Sequence, residues 1–513
     1  MEIPDAKPLR NIFWLLFTLL FLCGCNVHHD ISSLKQTHFY YTQIADRPYI
    51  ISIDTVIEYK KSKNKDLFAT AYLIDHNEFT DPQSFYVNYQ KRKPKAFLEN
   101  KHVDFSNNYS IYEPPTITEY PSRYLDTLFN VSVYKDVTYA QAEGYWDSNF
   151  NTEEQMGKAM LEGIVASMSK KKLNLKMDIY VPQYAGKIER PLLMLIHGGA
   201  FYVGDKSEKT IGKMCSHFAS LGYTTASINY RLGFQPLKAS IERAGYMATQ
   251  DAHAALRFLI ANASKYKIDT NYIFVGGSSA GGITSLNLAF LRNENRPKSS
   301  YKSLLYNNLG NIESVGKYNN ITFQIKSVAN LWGGVEDINI LKNNNVSVIS
   351  YHATKDPVVP YEYDYPMQKL VKKVAPVLFP KMYGSKPIHA ELKRLGYREK
   401  LVSVKKEAHV LWNTEGEIND TFEQIINDVS HFFYTDLVPV PAKIEQDSEY
   451  RQRYFISGTN ALDFITWQCD GGFLINANKD EVYVIWRTNA TERILTASGT
   501  YQNGAAFKIE IKK

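Results

Sequence analysis

Ser279 stands in Gly277-Ser278-Ser279-Ala280-Gly281, a Gly-x-Ser-x-Gly pattern. A serine hydroxyl becomes a useful nucleophile only when a neighbouring base takes its proton, and that base needs a third group to hold its ring. An acid and a histidine must therefore reach Ser279 from elsewhere in the chain. Asp356, in His352-Ala353-Thr354-Lys355-Asp356-Pro357, and His409, in Glu407-Ala408-His409-Val410-Leu411-Trp412, follow it in that order. Negative charge developing on a substrate oxygen would also need fixed N–H donors. The glycine-rich loop His197-Gly198-Gly199-Ala200-Phe201, directly after an apolar run, leaves backbone N–H groups free to supply them.

These groups need elements that aim them. Tyr272-Ile273-Phe274-Val275 reads as a short strand, and the residues from Ile283 to Phe290 read as a buried helix. Strand, glycine-flanked serine and helix make a turn so tight that a Cβ atom on either side would clash. Pro191 to Ile196 is a continuous apolar run of the kind buried in a parallel sheet, and the glycine loop follows it directly. Val346–Tyr351 and Lys400–Val404 are further strands, with Asp356 and His409 in the loops beyond their C-terminal ends. Asp356 has rivals in Glu336, Asp337 and Asp364, all near strand ends. Asp337 follows the strand Val328–Trp332, one strand too early. His389 and His352 rival His409, but only His409 follows the last strand.

On these motifs the stretch from Val131 to about Leu437 resembles the α/β-hydrolase serine esterases of the carboxylesterase and hormone-sensitive-lipase type, with their His-Gly-Gly oxyanion loop. The strand from Tyr223 toward Leu232 and the helix from Ala248 to Leu259 belong to the same likeness. The resemblance implies an α/β fold, a mostly parallel sheet with helices on both faces, carrying β-rich accessory segments at both ends. It implies Ser279, Asp356 and His409 as catalytic residues, Gly199, Ala200 and Ala280 as the oxyanion hole, and turnover through an acyl-enzyme with no cofactor and no metal. His197 is expected to shape the oxyanion loop without transferring protons, and His217 and His253 to be ordinary helix histidines. Ala200 stands where many relatives have a third glycine. It keeps the N–H, and the hole survives if φ there is negative.

The ends of the chain carry other signals. Residues 12–22 form an apolar stretch behind Lys7 and Arg10, too short to span a bilayer, so residues 1–24 read as a signal peptide. It closes on Leu22-Cys23-Gly24-Cys25, which resembles the lipobox of bacterial lipoproteins and implies lipidation of Cys25. A membrane partner through that anchor, and a place in the bacterial cell envelope, follow from the same likeness. Only Cys215 and Cys469 remain after Cys25, expected as free, buried thiols rather than a disulfide framework or a zinc site.

At 513 residues the chain exceeds what one core usually supports. A net charge of +6 is mild at this length, and scattered lysines and arginines match no nucleic-acid motif. Residues 25–130 read as a β-rich accessory segment with a linker at Pro114-Pro115 and Pro121, and 131–437 as the catalytic domain. Residues 442–513, beyond Val438-Pro439-Val440-Pro441, have strands at the spacing of a small β-sandwich and weakly resemble PKD-like or Ig-like modules. Such a module would space the enzyme or bind a surface protein or glycan.

Two long insertions, Asn293–Thr322 and Tyr361–Tyr397, leave the sheet on the side of Ser279 and are expected to wall the pocket. Their Asn- and Tyr-rich composition suits a moderately polar substrate, a small ester or an acylated (acetyl or feruloyl) glycan. Two other functions stay open: a serine peptidase on the same fold, and a non-catalytic surface binding protein.

Overall fold

The computed structural model describes residues 123–148, 169–183, 189–414, 417–438, 442–449, 453–459, 462–475, 481–487 and 490–513, together with the backbone of seven strands between Gln36 and Ser110. The expected signal peptide, Cys25 and the proline linker lie outside the described residues.

An eight-stranded sheet organises the centre. Its strands are β1 (Val131–Gly144), β2 (Lys171–Pro182), β3 (Arg190–Ile196), β4 (Thr224–Ile228), β5 (Ile268–Ser278), β6 (Ile325–Leu331), β7 (Ser347–Ala353) and β8 (Glu399–Val404). Their order in space is β8-β7-β6-β5-β3-β4-β2-β1. The strands from β4 to β8 run parallel, while β2 is antiparallel to both β4 and β1. Every residue of β3 and β4 is buried in a sheet covered on both faces: β3 carries an apolar run, and in β4 the hydroxyls of Thr224, Thr225 and Ser227 each donate to a backbone carbonyl.

Helices α1 (Lys209–Ser220), α2 (Lys238–Ala261), α3 (Ala280–Phe290), α4 (Ser385–Arg394) and α5 (Asp420–Leu437) supply the cover. Alternation along the strands sorts the core into two layers. Leu192, Met194 and Ile196 pack with Ala248 and Leu256 of α2, Leu286 of α3 and Ile388 of α4. Leu193 and Leu195, on the opposite face, pack with Phe218 of α1 and Phe433 of α5. Phe433 stacks on Phe274 of β5, ring centroids 4.6 Å apart. Side-chain caps fix the helix starts: Glu208 accepts from the N–H groups of Thr210 and Ile211, and Asn419 from that of Thr421. This is the α/β-hydrolase architecture, with β segments added at the ends.

Residues 443–446, 453–457, 472–475 and 481–487 form strands of one sheet, and 462–470, 494–501 and 506–512 form a second. The strand Glu481–Arg487 also pairs in parallel with Glu78–Gln90, so strands from the two ends of the chain share a sheet. The C-terminal strands dock on the central domain. Tyr124 Oη donates to Asn503 O (2.7 Å), Asn503 Nδ2 donates to Leu437 O at the end of α5 (2.7 Å), and Tyr434 Oη donates to Ala506 O. Cys215 and Cys469 form no disulfide with each other, and only Cys215 is buried. Cys469 is half-buried: it shares a strand face with buried Trp467, yet lies where the strand ends and its cover runs out.

Candidate active site

Strand β5 ends at Ser278 and α3 begins at Ala280, so Ser279 alone makes the corner, with φ +54° and ψ −119°. Such a backbone costs a non-glycine residue about 1–3 kcal/mol and persists only where its surroundings fix it. Here the Ser279 N–H donates to Leu331 O (2.9 Å) and its carbonyl accepts from Ile283 (3.0 Å). A Cβ at position 277 would lie 2.5 Å from Ile196 O, and one at 281 only 2.0 Å from the same atom. The flanking glycines are therefore set by the end of β3 pressing into the turn.

The Oγ of Ser279 lies 2.8 Å from His409 Nε2, and His409 Nδ1 lies 2.8 Å from Asp356 Oδ2. A carboxylate only accepts, so Nδ1 carries the ring proton and Nε2 faces the serine as an acceptor. The other carboxylate oxygen of Asp356 accepts the N–H groups of Val358 (2.7 Å) and Val359 (3.0 Å). Burial pushes the Asp356 carboxyl up, but hydrogen bonds from His352, His409 and Val358 and the nearby His409 outweigh it and hold it below the ordinary range.

The rivals do other work. Asp337 accepts from the N–H of Asn339, and Asp364 from that of Tyr365. Glu336 lines the cavity; crowding by the walls and the nearby Glu242 raise its carboxyl, although the side chain keeps a solvent-exposed face. His389 faces Ser350 and Glu399. His352 lies fully buried on the far side of Asp356, with Nε2 3.3 Å from Oδ2. Nothing in the spacing assigned it that place, since a four-residue step brings side chains together on a helix and His352 stands on a strand.

The glycine loop crosses the mouth of the elbow: a Cβ on Gly198 would lie 3.4 Å from Ser279 Cβ. The expectation of negative φ at Ala200 is not met. Gly199, Ala200 and Phe201 have φ +102°, +52° and +60°. The N–H groups of Tyr202 and Val203 both turn back to Gly199 O (2.9 Å each), closing one left-handed turn over Ala200 and Phe201. The N–H of Ala200 survives the change of sign. Among the described residues neither it nor the N–H of Gly199 has an acceptor, and Ala280 carries one of the orphan N–H groups that open a helix.

His197 sits behind the loop. Its Nδ1 is 2.7 Å from Gly198 O, its ring stacks on Tyr230 at 4.5 Å, and Tyr230 Oη donates to His197 O (3.0 Å). Burial lowers its pKa to about 4, so it stays neutral and shapes the loop. His217 is half-buried on α1, and His253 of α2 packs on Phe323.

Ser279 opens on a cavity of about 330 Å³. Phe201, Ile241 and Ile283 line it from the central domain; Arg296 and Pro297 come from the first insertion, and Met367, Phe379 and Met382 from the second. Both insertions thus wall the pocket as expected. Among the described residues no group of three or more His, Cys, Asp and Glu side chains converges to hold a metal ion.

Known proteins share parts of this chain. Gut esterase 1 of Caenorhabditis elegans is 33% identical over 109 residues, 21% of this chain and 19% of that protein. The para-nitrobenzyl esterase of Bacillus subtilis is 34% identical over 115 residues, 21% and 23% respectively. The chain thus spans about a fifth of the length of these curated relatives. The solved structure of a truncated carbohydrate esterase from gut microbiota aligns over 60% of this chain and 97% of its own, with a TM-score of 0.37 at 17% identity. Residues 177–353, which carry the glycine loop and Ser279 and end just short of Asp356, match the family model described as BD-FAE.

Proposed function

We propose that the chain is a serine carboxylic-ester hydrolase, with Ser279 as nucleophile, His409 as general base and acid, and Asp356 as the group that fixes the His409 ring. The observation that carries this reading is the unbroken line Ser279 Oγ, His409 Nε2, His409 Nδ1, Asp356 Oδ2, with 2.8 Å at both contacts between residues. His409 takes the serine proton as Oγ attacks the ester carbonyl, and the N–H groups of Gly199, Ala200 and Ala280 hold the oxyanion. His409 then protonates the departing alcohol and activates water against the acyl-enzyme.

A cavity of about 330 Å³ is at the small end for ligand sites and favours a short acyl group, with Asn287, Arg296 and Glu336 available to a polar or carbohydrate alcohol. The Leu22-Cys23-Gly24-Cys25 sequence supports a lipid-anchored envelope protein, and residues 442–513 a docked accessory module. The test is hydrolysis of p-nitrophenyl esters from acetate to decanoate by the full chain, with Ser279→Ala in parallel. Turnover confined to short esters and abolished by the substitution is expected. A folded chain inactive on every ester, or a Ser279→Ala variant as active as the parent, overturns the reading.

A further inference from the structure

We propose that His352 is a positioning residue for the Asp356–His409 pair, held in its working tautomer by a buried relay through Ser385, Asn330 and Ser350 that ends on His389 and Glu399. This inference rests on the reading of Ser279, Asp356 and His409 above.

The relay grows from element geometry. Ser350 and His352 are two apart on β7 and share a face, while Ser385 and His389 are four apart on α4 and share a side. Each element therefore presents one serine and one histidine, and they pair crosswise: Ser385 Oγ with His352 Nδ1 (2.8 Å) and Ser350 Oγ with His389 Nε2 (2.8 Å). Asn330 of β6 lies between, its Nδ2 donating to Ser350 Oγ (2.9 Å) and Ser385 Oγ (3.2 Å). The N–H of Gly333 donates to Asn330 Oδ1 (3.0 Å), which fixes which way round the amide sits. Asn330, Ser350, His352 and Ser385 are wholly buried.

Only one proton arrangement satisfies every group. Both hydrogens of Asn330 Nδ2 go to the serines, so each serine turns its own hydrogen outward, onto a histidine nitrogen. His352 must then carry its proton on Nε2, which faces two acceptors, Asp356 Oδ2 (3.3 Å) and Val359 O (3.1 Å). His389 carries its proton on Nδ1, toward Glu399 Oε2 (2.6 Å). Because the amide nitrogen at the centre accepts nothing, no proton passes along this line. It sets polarity, and its output is a second side-chain donor on the oxygen that orients His409.

Other titratable groups around Asp356 leave that oxygen to the two histidines. Lys369 Nζ donates to the Asp356 backbone carbonyl (3.2 Å), Tyr361 Oη pairs with Ser403 (2.6 Å), and Glu362, Asp364 and Tyr365 line the neighbouring surface pocket. With the His352 donor removed, burial acts on Asp356 less opposed and its carboxyl titrates higher. The ionised form that orients His409 is then lost at a higher pH as the solution is acidified.

The experiment is the pH profile of p-nitrophenyl acetate turnover by the full chain and its variants. His352→Leu is expected to lower kcat by about tenfold, the effect of one hydrogen bond to a charged group, with KM little changed. Its acid limb should move to higher pH, and His352→Gln, which returns an N–H donor, should move it back. Ser385→Ala is expected to move the limb the same way by less, and to add nothing to His352→Leu. If His352→Leu does not fold, the Gln and Ser385 variants decide. An active wild type whose acid limb stays put in His352→Leu or Ser385→Ala, or the two His352 variants being equally impaired, overturns the role of His352 alone. A wild type that neither turns over ester nor labels at Ser279 removes the underlying reading instead.

Discussion

The two insertions that face each other across the cavity do the same work and are held in opposite ways. The first is bolted to α2. Arg243 donates to Ser299 O (2.6 Å) and Asn307 O (2.7 Å), Tyr246 to Gly310 O (2.9 Å), Gln250 to Leu309 O and Asn311 O (2.9 Å each), and Arg257 to Val315 O (2.6 Å). Positions 243, 246, 250 and 257 form one stripe of the helix, buried yet polar because an irregular loop lies on it with carbonyls to satisfy. Both insertions turn some apolar side chains outward, Leu304 and Leu305 in the first and Leu370, Val371, Val374 and Val377 in the second, but the second is tied by backbone pairing, with Tyr383 exchanging hydrogen bonds with Val335 (2.8 and 2.9 Å). A wall without regular structure can thus be fixed when a neighbouring helix supplies its donors. The first wall sets the shape of the pocket, and the second is the one substitutions can adjust.

That contrast can be broken in order of size. Arg243→Ala removes two charge-assisted hydrogen bonds from part-buried carbonyls and is expected to cost roughly 3 kcal/mol, read as a lower Tm and a blurred preference among ester chain lengths. Phe379→Ala, in the second wall, should cost about half as much, roughly 1.5 kcal/mol, while raising turnover of longer esters relative to acetate. Val377→Ser removes apolar surface that already meets solvent and should change stability by no more than about 0.5 kcal/mol. If Val377→Ser lowers Tm as far as Arg243→Ala does, the second wall is as tightly held as the first and the comparison fails.

Ser279, Asp356 and His409 were legible because each is punctuated locally, the serine by glycines between strand and helix, the other two by the ends of apolar strands. The left-handed Ala200 was not, since nothing in His197-Gly198-Gly199-Ala200-Phe201 announces that two later N–H groups return to Gly199 O. His352 could be read only as a rival to His409. Its role depends on Ser385 and Asn330, which other elements bring to it, and no spacing rule joins three such positions. Strand content at the N-terminal end was visible as a β-rich segment, in which Arg47–Thr55 and Asp66–Asp75 are strands. The pairing of Glu78 with Trp486 was not, because edge partners so distant in the chain are chosen by the assembled surface.

The hydrogen bond that ties Asn503 to the last turn of α5 gives the proline-flanked boundary near residue 440 a different meaning. It is a joint in the chain but not in the folded molecule. Phe432 and Leu437 of α5 share a buried cluster with Tyr454, Trp467 and Tyr501 from beyond the boundary. Cutting there would strip a core face bare, so the final seventy-odd residues act as part of the central domain's own interior cover. A minimal folded unit for this chain has to be drawn by surface, and includes these residues.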